Sequence, residues 1–196
     1  MNDLAQAVGL RVATGRAQCF NSCHHTFLSQ RFDRTARGAR RHFASAMTLL
    51  GYPDATGHQD GASYLELAGL LVQQGAQVAA DLTERWRHIV FHICVCNTDD
   101  HLRNHGFLLT PRGWRLSPAF DLNPIRYGQG LTRNISETDN ALDLGLAREV
   151  APYFRLSAAP GRGCTHAGSG GGAAVAGCGQ PVPAVLGGAG TDGGSL

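Results

Sequence analysis

Asn97-Thr-Asp-Asp-His-Leu-Arg-Asn104, followed by Gly113-Trp-Arg-Leu-Ser-Pro-Ala-Phe-Asp-Leu-Asn-Pro124, is the stretch of this 196-residue chain on which the reading turns. Asp99 and Asn104 stand five positions apart, after a long apolar helical run and before a strand-like one. Asp121 follows a pair of short strand-like runs, His105 to Leu109 and Trp114 to Ser117, joined through Pro111-Arg-Gly113. These residue types suit one chemistry. An Asp orients an attacking hydroxyl and accepts its proton. An Asn carbonyl and an Asp carboxylate are hard oxygen ligands suited to Mg²⁺, which neutralises charge on phosphates in transfer. Taken singly, Asp99, Asp100 and Asp121 also fit ordinary roles in turns and caps. The two loops with a strand pair between them favour the chemical role.

Outward from this stretch, patterned elements alternate with turns. Upstream, Asp81 to Val95 predicts a helix whose apolar set, Leu82, Trp86, Ile89, Val90 and Ile93, steps at helical spacing. Before it, Ser63 and Glu66 form a capping-box pattern for a helix through about Gln74. His42 to Leu50 reads as a short helix closed by Gly51 and Pro53. Asp33 to Arg41, with four Arg, reads as an exposed loop, and Thr26 to Phe32 alternates like a strand. Leu10 to Ala17 is strand-like, and Asp3 to Val8 looks like the end of a helix with Gly9 just past it. Downstream, Ala141 to Tyr153 predicts a last helix. The expected fold class is mainly α with a small β component (α+β).

Composition divides the chain. Thirteen of the 26 Gly fall between Ser157 and Leu196, where only Arg162 and Asp192 are charged and no aromatic residue occurs. Such a segment buries too little apolar surface to offset chain entropy. Residues 157–196 are therefore expected to be a disordered tail, and their composition also fits an out-of-frame translation of GC-rich coding DNA. Residues 1–156 form the expected domain.

Charge excludes other classes. The net charge is only +2, which gives no strong global field for nucleic acid or membrane. All seventeen cations are Arg, so Schiff-base lysine chemistry and a phosphate-gripping lysine are both excluded within this chain. No apolar run is long enough to span a membrane, and the first residues lack a signal-peptide pattern. Six scattered Cys then read as free thiols in a cytoplasmic protein.

The catalytic-loop stretch Asn97 to Leu109 and the stretch Leu116 to Pro124 resemble the C-terminal lobe of the HipA-family serine/threonine kinases, toxins of bacterial toxin–antitoxin modules. Phe27 to Arg34 and His42 to Gly51 match the family style as well, so the resemblance covers roughly residues 4 to 156. It implies a kinase-like fold using ATP and Mg²⁺. By position, Asp99 would be the catalytic Asp, with Asn104 and Asp121 as Mg²⁺ ligands. Gln30 and Phe32 would lie beside the adenine, on a segment whose backbone groups make the hydrogen bonds. His101, two residues after Asp99, would orient the loop, or serve only as a structural histidine. Arg103 would contact transferred phosphate, or pair with Asp100 or a nearby acid. Asp121-Leu-Asn123 departs from the Asp-Phe-Gly of ordinary protein kinases. The resemblance also implies a protein substrate, a helix-turn-helix antitoxin as partner, DNA reached only through that antitoxin, and no membrane.

A family member also needs a phosphate-covering loop and a lysine upstream of the hinge strand. Only 26 residues precede Phe27, with neither feature among them. The expectation is a chain that starts inside the small lobe and has little or no kinase activity by itself. The competing reading is a non-catalytic remnant that only binds an antitoxin-like partner. A direct DNA-binding protein is disfavoured by the low net charge and the absence of a DNA-binding motif. Cys19, Cys23, His24 and His25 offer Zn²⁺ ligand types at a loose spacing without a second pair. The Arg34–Arg41 cluster reads by default as a solvated loop, with phosphate contact as the alternative.

Overall fold

A computed structural model describes residues 1–21 and 23–157. The expected tail, apart from Ser157, lies outside the described residues. The architecture mixes helices with small antiparallel sheets, so strands carry more of the fold than the expected mainly α class implies. In chain order the elements are α1 (Asn2–Ala7), β1 (Gly15–Cys19), β2 (His25–Ser29), β3 (Phe43–Ser45), α2 (Ala46–Leu50), α3 (Tyr64–Gln74), α4 (Val78–Val95), β4 (Gly106–Thr110), β5 (Gly113–Leu116) and α5 (Leu144–Glu149). β1 and β2 form a separate hairpin, and β3, β4 and β5 form a three-stranded sheet in that order.

The core lies between α3, α4, α5 and the three-stranded sheet. Leu67, Leu71, Leu82, Ile89, Phe107, Leu131, Ile135 and Phe154 are all essentially without solvent exposure. α3 starts where the capping box predicts: the Glu66 carboxylate accepts the Ser63 N–H at 2.9 Å. α4 begins three residues earlier than its apolar pattern suggests.

His42 to Leu50 is a correction. Phe43–Ser45 is a strand on the edge of the sheet, and only Ala46–Leu50 is helical. The pairing of Phe43 with Leu108 and of Ser45 with Gly106 supplies ladder partners that a local pattern does not reveal. Ser45 then caps the short helix through Thr48 N–H, and Gly51 ends it in the left-handed region at φ 73°. The expected last helix is one short helix and a 3₁₀ turn over Ala151–Phe154, broken where Pro152 enters. Leu10 to Ala17 is strand only in its second half; Val12 makes an isolated parallel bridge to Ala119.

Candidate functional site

The loop after α4 is built from its own hydrogen bonds. Asn104 Nδ2 donates to the Asp99 carbonyl at 3.2 Å, and the Asn104 N–H donates to the His101 carbonyl at 2.8 Å. These bonds fold residues 99–104 into a compact turn that ends in a 3₁₀ segment, Leu102–Asn104. Asp99 is half exposed, and its Oδ1 lies 2.6 Å from His101 Nε2. With the amide nitrogen of Asn104 engaged, its Oδ1 is the atom left for a cation. Arg103 points elsewhere and pairs with Asp54, so the pairing with Asp100 is not formed.

Asp121 sits in the second loop in left-handed backbone, at φ 57°. That conformation costs a non-glycine residue about 1 kcal/mol or more and is held here by its surroundings. Asn123 Nδ2 donates to Asp121 Oδ1 at 2.6 Å. The loop is tied on both sides. The Ala13 N–H donates to the Ala119 carbonyl at 2.8 Å, and the Ala119 N–H donates to the Arg11 carbonyl at 2.7 Å. Ile125 N–H donates to the Cys96 carbonyl at 2.9 Å, which joins the second loop to the base of the first. Gly106, two residues after Asn104, allows the close approach: a methyl group there would meet the Phe43 ring, Ser117 Oγ and the Phe120 ring.

Asp121 lines a cleft of about 510 Å³ with Phe120, Leu122 and Asn123 on one side and Phe27 and Ser29 of β2 on the other. Gln30 and Phe32 line an adjoining hollow of about 280 Å³ with Ser29, Phe43 and Phe120. The Gln30 N–H is consumed by the Thr14 carbonyl at 2.7 Å. Among the described residues, neither the Gln30 carbonyl nor the Phe32 N–H has a hydrogen-bond partner. The structure thus brings Asp99, His101 and Asn104 together on one loop. Asp121 stands on the adjoining loop, and Gln30 and Phe32 beside Phe120.

Asn104 Oδ1, the Asp121 carboxylate and the Asn123 amide oxygen are all hard donors, and two or three of them suit Mg²⁺, which keeps several waters and shares phosphate oxygens. Among the described residues, no group of three or more His, Cys, Asp or Glu can hold a metal ion, which leaves the Cys19–His25 cluster without a zinc geometry. Cys19, Cys23 and Cys94 are free thiols, as expected.

Behind the loop lies a buried polar cluster that the sequence pattern does not reveal. Asp100 Oδ2 accepts from the Tyr64 hydroxyl at 2.6 Å and lies 3.2 Å from His92 Nδ1 and 2.9 Å from His105 Nε2. His105 Nδ1 is 2.6 Å from Arg85 Nη1. A guanidinium only donates, so His105 Nδ1 is the acceptor and its proton sits on Nε2, facing Asp100 without good hydrogen-bond alignment. The Arg85 guanidinium lies 5.0 Å from the Tyr64 ring centroid and is fully buried. Burial opposes ionisation of Asp100, but its histidine neighbours hold the carboxyl well below the usual range. Burial also pushes His105 down to about 4 and His88, beside Glu84, down to about 3.

These shifts set a pH dependence. Both histidines are neutral in the fold but take up protons near pH 6.5 once unfolded. The unfolded chain therefore binds more protons below pH 6.5, and stability falls as pH drops from there toward 4. Below about 4.5 the depressed Asp100 and Glu84 carboxyls extend the decline. Urea unfolding at pH 7 and pH 5 should show a loss of roughly 1–3 kcal/mol. Equal stability at the two pH values would contradict the buried neutral histidines.

A second buried carboxylate, Asp81, pins the other loop. It accepts from Arg115 Nε at 2.8 Å, Arg11 Nη2 at 3.1 Å and the Leu116 N–H at 3.1 Å. Glu84 Oε1 accepts the Arg11 N–H at 2.7 Å. Both acids hold the segment that runs beside Ala119, two residues before Asp121. The available signal was a helical stripe of Asp81, Arg85, His88 and His92 at spacings of four, three and four.

No helix among the described residues is long and apolar enough to cross a membrane. No curated protein matches the sequence. The fold is similar to HipA of Shewanella oneidensis MR-1, solved in a toxin–antitoxin complex with HipB and its operator DNA. The likeness has a TM-score of 0.62 and 24% sequence identity, and covers 70% of this chain and 37% of that one. This chain thus spans well under half the length of that structure. The family model of the HipA-like C-terminal domain matches residues 1–160. With most of its length in that match, the chain belongs to the HipA-like C-terminal domain family.

Proposed function

We propose that this chain is the ATP-holding and hydroxyl-activating part of a HipA-like serine/threonine protein kinase, the toxin of a toxin–antitoxin pair. One observation carries the reading: Asp99 and Asn104 share a loop tied to the loop of Asp121, whose cleft adjoins a hollow with an unpartnered carbonyl and N–H at Gln30 and Phe32. The adenine takes that carbonyl and N–H and lies against Phe32 and Phe120. The phosphates extend toward Asp121. Asn104 Oδ1 and the Asp121 carboxylate hold Mg²⁺, which when bound offsets the charge on the phosphates. Asp99 orients a serine or threonine hydroxyl of a protein substrate and accepts its proton as the oxygen attacks the γ-phosphorus and the bond to the β-phosphate oxygen breaks. His101, at 2.6 Å, fixes the Asp99 carboxylate. A HipB-like helix-turn-helix antitoxin is the partner, by likeness to the Shewanella complex, and DNA is reached through it.

With no lysine in the chain, the phosphates have no ammonium to hold them. Loss of such positioning costs several kcal/mol of barrier. Purified chain given γ-labelled ATP, Mg²⁺ and a serine-containing protein should therefore show turnover near background. Robust Mg²⁺-dependent transfer, abolished by Asp99→Asn, would show that the chain is a complete kinase and not a part of one.

A further inference from the structure

The Arg-rich segment after β2 is exposed over residues 36–41, as its sequence suggests, and is tied into a hairpin-like turn. Thr35 N–H donates to the Ala39 carbonyl at 2.9 Å, and Arg41 N–H donates to the Asp33 carbonyl at 2.9 Å. Arg34 and Arg40 face each other in an antiparallel bridge. Like charges directly opposite destabilise a strand pair unless something of opposite charge lies between or beside them. Asp33 answers only part of that charge. Its carboxylate takes Arg31 through two bonds, at 2.9 and 2.7 Å, and Arg34 Nη1 at 2.6 Å. Arg40 and Arg41 have no carboxylate partner among the described residues.

These side chains surround a hollow of about 490 Å³, lined by Arg31, Asp33, Arg34, Arg40, Arg41 and His42 together with Phe43. Four Arg and one Asp thus line a space that holds a small ligand, and that Asp is already bonded to Arg31 and Arg34. The whole chain carries only +2, so this charge is local. Guanidinium forks match tetrahedral oxyanions with paired N–H donors. We infer that this hollow is a binding site for a phosphate monoester dianion carried on a protein side chain, that is, a phosphoserine or phosphothreonine of a partner. A nucleic acid fits less well, because its backbone needs a stripe of cations along several phosphates, whereas here the charge is confined to one hairpin. The hollow shares Arg31, Asp33 and Phe43 with the one given to the adenine, but neither Asp99 nor Asp121 lines it.

The test is fluorescence anisotropy with the labelled peptide Gly-Ala-Ala-pSer-Ala-Ala-Gly, its unphosphorylated form, and a labelled single-stranded oligonucleotide. The phosphopeptide should bind, inorganic phosphate should displace it, and the unphosphorylated peptide should bind at least tenfold more weakly. The double variant Arg40→Ala/Arg41→Ala should weaken phosphopeptide binding about tenfold or more. Arg37→Ala removes one positive charge from the same hairpin but from outside the hollow, and should change binding less than twofold. Arg40→Glu should abolish binding while leaving the melting temperature unchanged or raised, because it replaces a like-charge pair with an opposite one. Equal loss in Arg37→Ala would overturn the site in favour of diffuse charge. No phosphopeptide binding, equal binding of the unphosphorylated peptide, or tighter binding of the oligonucleotide would overturn it as well.

Discussion

Replacing Asp100 by Ala should destabilise the domain by about 3–5 kcal/mol, the usual cost of removing one partner of a buried charged cluster. Among the described residues, Asp100 is the one carboxylate against Tyr64, His92 and His105, and all three are essentially fully buried. Without it the Tyr64 hydroxyl loses its acceptor, and His92 and His105 lose the carboxylate that lies against their rings. Arg85, whose Nε and Nη2 already lack hydrogen-bond partners, loses the nearest balancing charge. For a domain of this size the melting temperature should drop by roughly 10 °C. Asp100→Asn keeps the shape and an acceptor oxygen and should cost less. A thermal melt within 1 °C of wild type for Asp100→Ala would show that the cluster does not hold the loop. The effect bears on function because Asp100 is the immediate neighbour of Asp99: the buried side chain anchors the backbone from which the exposed one projects.

Asp81→Ala should be nearly as severe, at about 2–4 kcal/mol, through a different loop. The Asp81 carboxylate, fully buried, gathers Arg11, Arg115 and the Leu116 N–H. Its loss leaves that backbone N–H buried and unpaired, and frees the strap over residues 11–13 that lies along Ala119. Hydrogen exchange reads this directly: the Leu116, Ala13 and Ala119 amides should lose protection, while α3 amides keep theirs unless the whole fold opens. Asp81→Asn retains an acceptor for Leu116 and should show a smaller change. Unchanged exchange at Ala13 and Ala119 in Asp81→Ala would contradict the role given to this strap.

Much of the scaffold was legible because its signals are local. The Ser63–Glu66 box marks the start of α3, the Leu82-to-Ile93 spacing marks α4, and Pro111-Arg-Gly113 marks the turn between β4 and β5. β3 was not legible, since Phe43-Ala-Ser45 becomes a strand only by pairing with Gly106–Leu108 far along the chain. The loop residues Asp99, His101 and Asn104 were legible from identity and spacing. The joining of their loop to that of Asp121 depends on Ile125 reaching Cys96 and on Gly106 admitting Phe120, contacts with no local signature. The buried supports were missed for another reason. Asp81, Glu84, Arg85, His88 and His92 resemble a solvated helix face, yet α4 is covered on that side too, and the charges satisfy one another inside.

Asn104 and Asp121 are proposed to complete a metal-dependent nucleotide site beside Gln30 and Phe32. A thermal-shift titration with ATP measures it most directly, in the presence of Mg²⁺ or of a chelator, on wild type and on Asp121→Asn. Asp121 is exposed, so its substitution should leave the unliganded fold in place. Ligand at about a hundred times its dissociation constant stabilises a fold by about 2.7 kcal/mol, a rise of several degrees. That rise is expected for wild type with Mg²⁺ and ATP together, with little in chelator and little in Asp121→Asn. No shift in wild type, or an equal Mg²⁺-dependent shift in Asp121→Asn, would contradict it.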